Sequence, residues 1–118
     1  MPDLRANFKL WIYSETRAGV FGDGKVRLLE AIDRCGSLQE AARSLGISYR
    51  KAWGDLKKAE ACLNTALITK RRGGQGGGHT ALTAQGRQMV AWYNDLHDML
   101  QRELKQRFHP FDSTLHDA

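Results

Sequence analysis

The chain has 118 residues, 42% of them hydrophobic, with 18 Lys and Arg against 13 Asp and Glu and a formal net charge of +5. This length and composition predict one folded domain and exclude wholesale disorder. Residues 48–72 hold seven basic and two acidic residues, so the whole formal excess lies in one segment, which indicates a polyanionic partner there.

The first predicted elements are a β-hairpin and a helix. Residues 7–14 (NFKLWIYS) alternate between two sets of side chains, which is typical of a strand, and Val20-Phe21 is expected to be the returning strand. The Gly-Asp-Gly sequence that follows is expected to end the hairpin, with Asp23 as the N-cap of the next helix. An apolar stripe then predicts a helix over 24–35 that ends at Gly36.

Residues 37–63 have the pattern of a helix-turn-helix. Ser37 is the expected cap of the second helix, and Glu40 completes a capping box. Gly46 supplies the positive φ of the turn, Ser48 caps the third helix, and Trp53 is expected at the margin of its inner face. The positions predicted to face the core are Leu38, Ala41, Ala42, Leu45, Ile47, Ala52, Leu56, Ala59 and Leu63.

The third helix is predicted to read the major groove of double-stranded DNA. Side chains at its N-terminal end reach base edges, where one arginine bound to guanine is worth about 1–3 kcal/mol of discrimination. Lysines further along the helix are expected to meet phosphates. The predicted contacts from the helix-turn-helix are Ser37, Ser48, Tyr49, Arg50, Lys51, Gly54, Lys57 and Lys58.

Residues 66–83 are predicted to form a wing, with a strand on either side of a basic, glycine-rich loop. The loop lacks the Gly-Lys-Ser/Thr ending that a nucleotide-binding phosphate loop needs, and it runs into a strand. We expect its backbone to approach DNA while its basic residues grip phosphates or the minor groove. The predicted wing contacts are Lys70, Arg71, Arg72, Gly74, Gly76, Gly77 and His79.

A long helix capped by Thr83 is predicted over 83–108, and residues 110–118 are expected to form a flexible tail to a domain that spans 1–109. The apolar stripe of this helix is larger than a small domain covers alone, so we expect a homodimer. Two-fold symmetry implies a near-palindromic operator with half-sites about one DNA turn apart. The predicted dimer contacts are Leu28, Met89, Tyr93, Leu96, Met99, Leu100, Leu104 and Phe108.

The sequence shows no pattern of catalysis or metal binding. The four histidines have no metal spacing, and no Ser/His/Asp or Cys/His set points to a nucleophile. Cys35 and Cys62 form no CxxC pair and are expected to stay reduced and largely buried. No signal peptide or membrane-spanning run is visible. We therefore expect a cytoplasmic protein that has no cofactor and no membrane partner and is not an enzyme.

Three segments resemble the DNA-binding domain of the ModE-type, molybdate-responsive bacterial regulators: 22–32 (GDGKVRLLEAI), 36–53 (GSLQEAARSLGISYRKAW) and 71–86 (RRGGQGGGHTALTAQG). The LysR-type regulators are more distantly similar in their helix-turn-helix and in the Leu-Thr-x-x-Gly opening of the last helix. The resemblance implies a mainly α fold with little β structure. Its expected parts are a winged helix-turn-helix, an N-terminal β-hairpin and a long C-terminal dimerisation helix, and the expected activity is operator binding as a homodimer.

The resemblance covers residues 8–105, and the molybdate-binding module of full-length members has no counterpart in this sequence. We expect a domain-only regulator that receives its signal by another route, such as a separate sensor protein. Two alternatives stay open. The winged helix is either a protein-interaction module whose last helix pairs with a different chain, or a regulatory subunit that binds a small anion at the glycine loop.

Overall fold

The computed structural model describes residues 3–71 and 79–110. These residues form a mainly helical winged helix-turn-helix domain with two small antiparallel hairpins, which confirms the predicted fold class. The elements are β1 (Ile12–Tyr13), β2 (Val20–Phe21), α1 (Asp23–Cys35), α2 (Leu38–Leu45), α3 (Tyr49–Leu63), β3 (Ile68–Arg71), β4 (His79–Leu82) and α4 (Ala84–Arg107).

The N-terminal hairpin is shorter than predicted. Of the strand predicted over 7–14, only Ile12 and Tyr13 pair with β2, because β2 has two residues and the chain then turns into α1. The predicted alternation reflects burial instead, since Phe8 and Leu10 are half-buried against the domain. The prediction of a long strand was therefore wrong in its extent.

The first helix begins one residue earlier than predicted. Its N-cap is Gly22, which has extended backbone and no side chain to cap the helix, and not Asp23. The Asp23 carboxylate lies in the first turn instead, where the positive end of the helix dipole favours it, and accepts a hydrogen bond from Arg27 Nε at 3.3 Å. The helix ends at Gly36 with φ +73°, as predicted.

The predicted caps of the other helices are confirmed. The side-chain oxygens of Ser37, Ser48 and Thr83 accept backbone N–H groups three residues later at 2.9, 3.0 and 3.0 Å. The capping box at α2 is only half formed, because the Glu40 carboxylate pairs with Arg43 at 3.1 Å. Local sequence therefore determines where α2, α3 and α4 begin.

The turn between α2 and α3 also follows the prediction, with one exception. Gly46 has φ +69°, and Ile47 is half-buried against the core. Leu45, predicted to face the core, is 36% exposed. Because it is the last residue of α2, it lies one turn beyond Ala41 and Ala42, which are the residues that the neighbouring helices cover.

One core joins the N-terminal hairpin, all four helices and the wing. Tyr93 of α4 lies in it, 1% exposed, and donates a hydrogen bond from its hydroxyl to the Leu10 carbonyl at 3.3 Å. Burial raises the pKa of the Tyr93 hydroxyl, and the Asp23 charge adds to the effect, so this donor keeps its proton. The largest fully buried side chains are Tyr93, Phe21, Leu28, Leu29, Ile32, Leu56, Leu67, Val26 and Cys62.

The start of α4 packs tightly against the base of the wing. Thr83 donates from its hydroxyl to the Ala66 carbonyl at 2.8 Å and from its backbone N–H to the Leu67 carbonyl at 3.0 Å. Gly86 lies directly beneath, and a Cβ there would overlap the Leu67 carbonyl oxygen and lie 3.3 Å from the carbonyl carbon. This glycine therefore sets how closely α4 approaches the wing.

Candidate nucleic-acid interface

The beginning of α3 projects from the domain. Its first turn is fixed by the Ser48 cap, while Tyr49, Arg50 and Lys51 are all exposed, Tyr49 by 51%. A short polar cap followed by exposed, hydrogen-bonding side chains is the arrangement that a recognition helix needs at its leading end. The cap Ser48 and the first three residues of α3, all predicted DNA contacts, thus lie together at this end of the helix.

The remaining length of α3 has one buried and one open side. Ala52, Leu56, Ala59 and Cys62 are buried, and a helical period of 3.6 residues places Arg50, Gly54 and Lys57 opposite them. Gly54 has no heavy atom within 4 Å of the position that a Cβ would take. A surface could therefore approach the α3 backbone closely at this point.

The basic residues of α3 fall into two groups. Lys51 Nζ lies 3.1 Å from Asp55 Oδ2, and Lys57 Nζ lies 3.2 Å from Glu60 Oε1, so each of these lysines has a carboxylate partner on its own helix. Arg50 and Lys58 form no ion pair among the described residues. Because neither residue has an ion pair to break, we expect Arg50 and Lys58 to lose the least interaction energy within the protein when they bind a phosphate or a base.

The wing is present as predicted, and its strands carry two of the predicted basic contacts. In the β3–β4 register, Lys70 pairs with Thr80 and Arg71 with His79, and both basic side chains are exposed. Arg72, Gly74, Gly76 and Gly77 lie outside the described residues.

A half-buried carboxylate ties the wing to the end of α3. Glu60 Oε2 accepts the backbone N–H of Leu67 at 2.8 Å, and the Glu60 side chain is only 16% exposed. Its other oxygen takes the Lys57 ammonium. No local sequence pattern indicates this role of Glu60, because its main partner is a backbone group seven residues away. The orientation of the wing relative to α3 is therefore fixed at the base of β3.

The other side of the wing is anchored to the turn between α1 and α2. The Thr80 N–H donates to the Gly36 carbonyl at 2.8 Å, and the His79 ring lies so close to Gly36 that a Cβ there would be 2.6 Å from its Cε1 atom. Ser37, next to this contact, is half-buried and occupied as a helix cap. His79 and Ser37, both predicted DNA contacts, thus have structural roles as well.

A tryptophan lies between α3 and the wing. Trp53, which the sequence placed at the margin of the core, is 40% exposed. The Lys57 ammonium lies 4.5 Å from its ring centroid and the Lys70 ammonium 5.9 Å away. Two basic residues predicted to bind DNA, one from each element, therefore meet at this ring.

The apolar surface of α4 divides at Tyr93. Tyr93 is the last buried residue of α4, and Leu28 of α1 is 2% exposed, so these two predicted dimer contacts belong to the core of a single chain. Their burial corrects the prediction that they are dimer contacts. That prediction was based on helical spacing, which does not assign a position to core or surface. Met89 and Leu104 are half-buried, and Phe108, just after the helix, is 36% exposed.

The other side chains of the stripe are open to solvent. Trp92, Leu96, Met99 and Leu100, which we call the exposed strip of α4, are 54%, 42%, 45% and 37% exposed. Together with Ile12, three of them line an apolar groove of about 380 Å³. Exposed apolar surface that follows the helical spacing i, i+4, i+7 and i+8 is typical of a helix that packs on a partner.

In the part of the chain that the structure describes, no group of three or more His, Cys, Asp or Glu is placed to hold a metal ion. None of the described helices is both long and apolar enough to cross a lipid bilayer.

Comparison with known protein families identifies the domain. Residues 24–87, more than half of the chain, match the family model of the bacterial regulatory helix-turn-helix proteins of the LysR family. The chain belongs to this family. Membership of this regulatory family also confirms the prediction that the domain is not an enzyme.

Relatives of this LysR-type domain confirm the resemblance to ModE regulators. The transcriptional regulator ModE of Haemophilus influenzae is 32% identical over 117 residues, which cover 92% of this chain and 44% of that protein. The molybdenum transport protein ModE of Azotobacter vinelandii is 40% identical over 74 residues, 63% of this chain and 27% of that protein. The chain thus spans less than half of the length of these curated relatives.

Solved structures support the winged-helix fold. The CbnR DNA-binding domain in its complex with DNA superposes with a TM-score of 0.53 at 20% identity, covering 69% of this chain and 87% of that one. Oxidised OxyR of Corynebacterium glutamicum gives a TM-score of 0.51 at 21% identity over 73% of this chain and 26% of that one. At this level of identity the likeness establishes the fold of this LysR-type domain.

Proposed function

We propose that this chain is a sequence-specific regulator that binds double-stranded DNA as a homodimer. The observation that carries the proposal is the exposed, capped start of α3, where Tyr49, Arg50 and Lys51 stand clear of the core. In this proposal α3 enters the major groove, and Lys58, Lys70 and the remaining wing residues contact the flanking phosphates. Family membership and the regulators named among the relatives support the same conclusion.

The exposed strip of α4 supports the homodimer. Helix α4 has 24 residues and is about 36 Å long, and beyond Tyr93 it has no buried residue. A two-fold partner that packs on this strip removes its apolar side chains from water and places two copies of α3 on one duplex. We propose a near-palindromic operator and a cytoplasmic location for the dimer. We also propose that a separate sensor protein supplies its signal.

Replacing Arg50 by alanine is expected to weaken binding to the preferred sequence about 5- to 150-fold, the equivalent of 1–3 kcal/mol for one bidentate base contact. Binding to unrelated duplexes should weaken much less, because one charge among several contributes little there. Fluorescence anisotropy with both duplexes measures the ratio. Arg102→Ala, which removes an exposed arginine from α4, is the matched control. An equal loss on every sequence would show that Arg50 meets phosphate and reads no base.

Replacing Gly54 by alanine is expected to separate stability from binding. The added methyl group has open space in the free protein, and alanine favours the helix by about 0.5–1 kcal/mol, so the free energy of unfolding should rise. Affinity for DNA should fall, because the methyl group would lie where the duplex approaches the α3 backbone. Denaturant unfolding and anisotropy on the same preparation test both effects. A stabilised variant that binds as well as the wild type would place Gly54 outside the interface.

The proposed function as a whole is tested by selecting binders from a pool of randomised duplexes at about 50 and 200 mM salt, the range over which phosphate-mediated binding falls steeply. We expect the retained duplexes to share a two-fold-symmetric motif with half-sites about one turn apart. Uniform, salt-sensitive retention of all duplexes would support DNA binding but contradict sequence-specific recognition. No retention at either salt concentration would favour the protein-interaction alternative, in which α4 pairs with a different chain.

A further inference from the structure

Trp53 joins the recognition helix to the wing through two cations. The Lys57 ammonium of α3 and the Lys70 ammonium of β3 lie 4.5 and 5.9 Å from its ring centroid. An ammonium within about 6 Å of an aromatic ring is attracted by the ring quadrupole. Because the two lysines come from different elements, one ring restrains both α3 and the wing.

Lys57 is also held from its other side. Its ammonium lies 3.2 Å from one oxygen of Glu60, whose second oxygen accepts the Leu67 N–H at 2.8 Å. Contacts therefore run from Lys70 through Trp53 and Lys57 to Glu60, and return to the chain just before β3. A closed path of this kind restrains the directions of both lysines as well as the angle between helix and wing.

We propose that Trp53 is a positioning residue for DNA binding, which holds Lys57 and Lys70 together at one stretch of the phosphate backbone. This inference rests on the proposed function. A lysine side chain loses much rotamer freedom when a phosphate fixes it, and a ring that already confines the side chain reduces this loss. Trp53 makes the recognition helix and the wing engage the duplex as one unit.

The first test is a salt titration of duplex binding for the wild type, Trp53→Leu and Trp53→Phe. We expect Trp53→Leu to bind about 3- to 10-fold more weakly, which is the size of the rotamer cost of immobilising one lysine side chain. The slope of log affinity against log salt should stay unchanged, because both lysines remain. Trp53→Phe keeps an aromatic face and should recover much of the loss. The control Tyr13→Leu removes an aromatic side chain that is 66% exposed in the N-terminal hairpin, and it should bind like the wild type.

The second test asks whether Trp53 couples the two lysines. Lys57→Met, Lys70→Met and their combination are measured with Trp53 present and in the Trp53→Leu background. With Trp53 present, the fold-loss of DNA affinity in the double lysine variant should differ from the product of the two single fold-losses. In the Trp53→Leu background, the fold-loss of the double variant should equal that product. Thermal unfolding of every variant shows which ones remain folded. If Trp53→Leu lowers the melting temperature, the comparison of Lys57→Met, Lys70→Met and the double variant with Trp53 present still shows whether the two lysines are coupled.

The outcomes separate the inference from the function on which it rests. Independent losses from the two lysines in both backgrounds, or Trp53→Leu binding at wild-type affinity, would overturn the positioning role and leave DNA binding intact. A wild-type chain that binds no duplex at low salt would overturn both.

Discussion

Replacing Gly86 by alanine is expected to lower the free energy of unfolding by about 1–3 kcal/mol, the usual cost of forcing an extra carbon into a well-packed site. The added Cβ would overlap the Leu67 carbonyl oxygen, and this oxygen cannot move freely because it accepts the Thr83 N–H at 3.0 Å. Relief requires α4 to shift away from the wing, which also disturbs the Thr83 cap. Urea unfolding followed by circular dichroism measures the change.

The sign of this effect separates the clash from helix propensity. In an open position alanine stabilises a helix relative to glycine by about 0.5–1 kcal/mol. Gly24→Ala is the matched control, because this glycine is also near the start of a helix and has no heavy atom within 4 Å of its missing Cβ. Stabilisation by Gly86→Ala as well as by Gly24→Ala would show that α4 does not pack on Leu67 as described.

Replacing Leu96 by lysine is expected to convert the proposed dimer to a monomer and to weaken binding to the proposed operator about 100- to 10,000-fold, the range lost when two linked contacts become one. Leu96 lies in the middle of the exposed strip of α4, with Trp92 and Met99 one turn away on either side. Burying its ammonium against a partner helix would cost more than the contact returns. Sedimentation equilibrium and anisotropy on the selected operator measure the two effects.

A control for this variant is available two residues away. Asp98→Lys introduces the same side chain on nearly the opposite side of α4, since two residues turn a helix by about 200°. It should remain dimeric and bind the operator at least as tightly as the wild type. A dimeric Leu96→Lys protein would show that α4 is not the seam between the two copies.

Much of the fold could be predicted because its signals are local. The caps at Ser37, Ser48 and Thr83 each involve a residue three positions away, and the turn glycines Gly36 and Gly46 have the positive φ that their positions require. The alternation of residues 7–14 predicts a strand, but its extent depends on β2, which is too short to pair with all of them.

The parts of the site that sequence did not reveal depend on contacts between distant segments. Glu60 looked like one more charge on a solvated helix, and only folding brings it to the Leu67 N–H. Spacing likewise placed Leu28 and Tyr93 on apolar stripes, although it could not distinguish the core of one chain from the contact between two. Which element covers a side chain is information that a periodic pattern does not contain.

The anchoring of the wing at Glu60 has a consequence for how this domain can diversify. Glu60 lies near the end of α3, whereas Tyr49 and Arg50 lie at its beginning, about 15 Å away along the axis. Exchanging the leading residues would therefore alter the preferred operator without disturbing the joint that supports the wing. The scaffold is suited to retargeting, by evolution or by an engineer who transplants only the first turn of the helix from a relative.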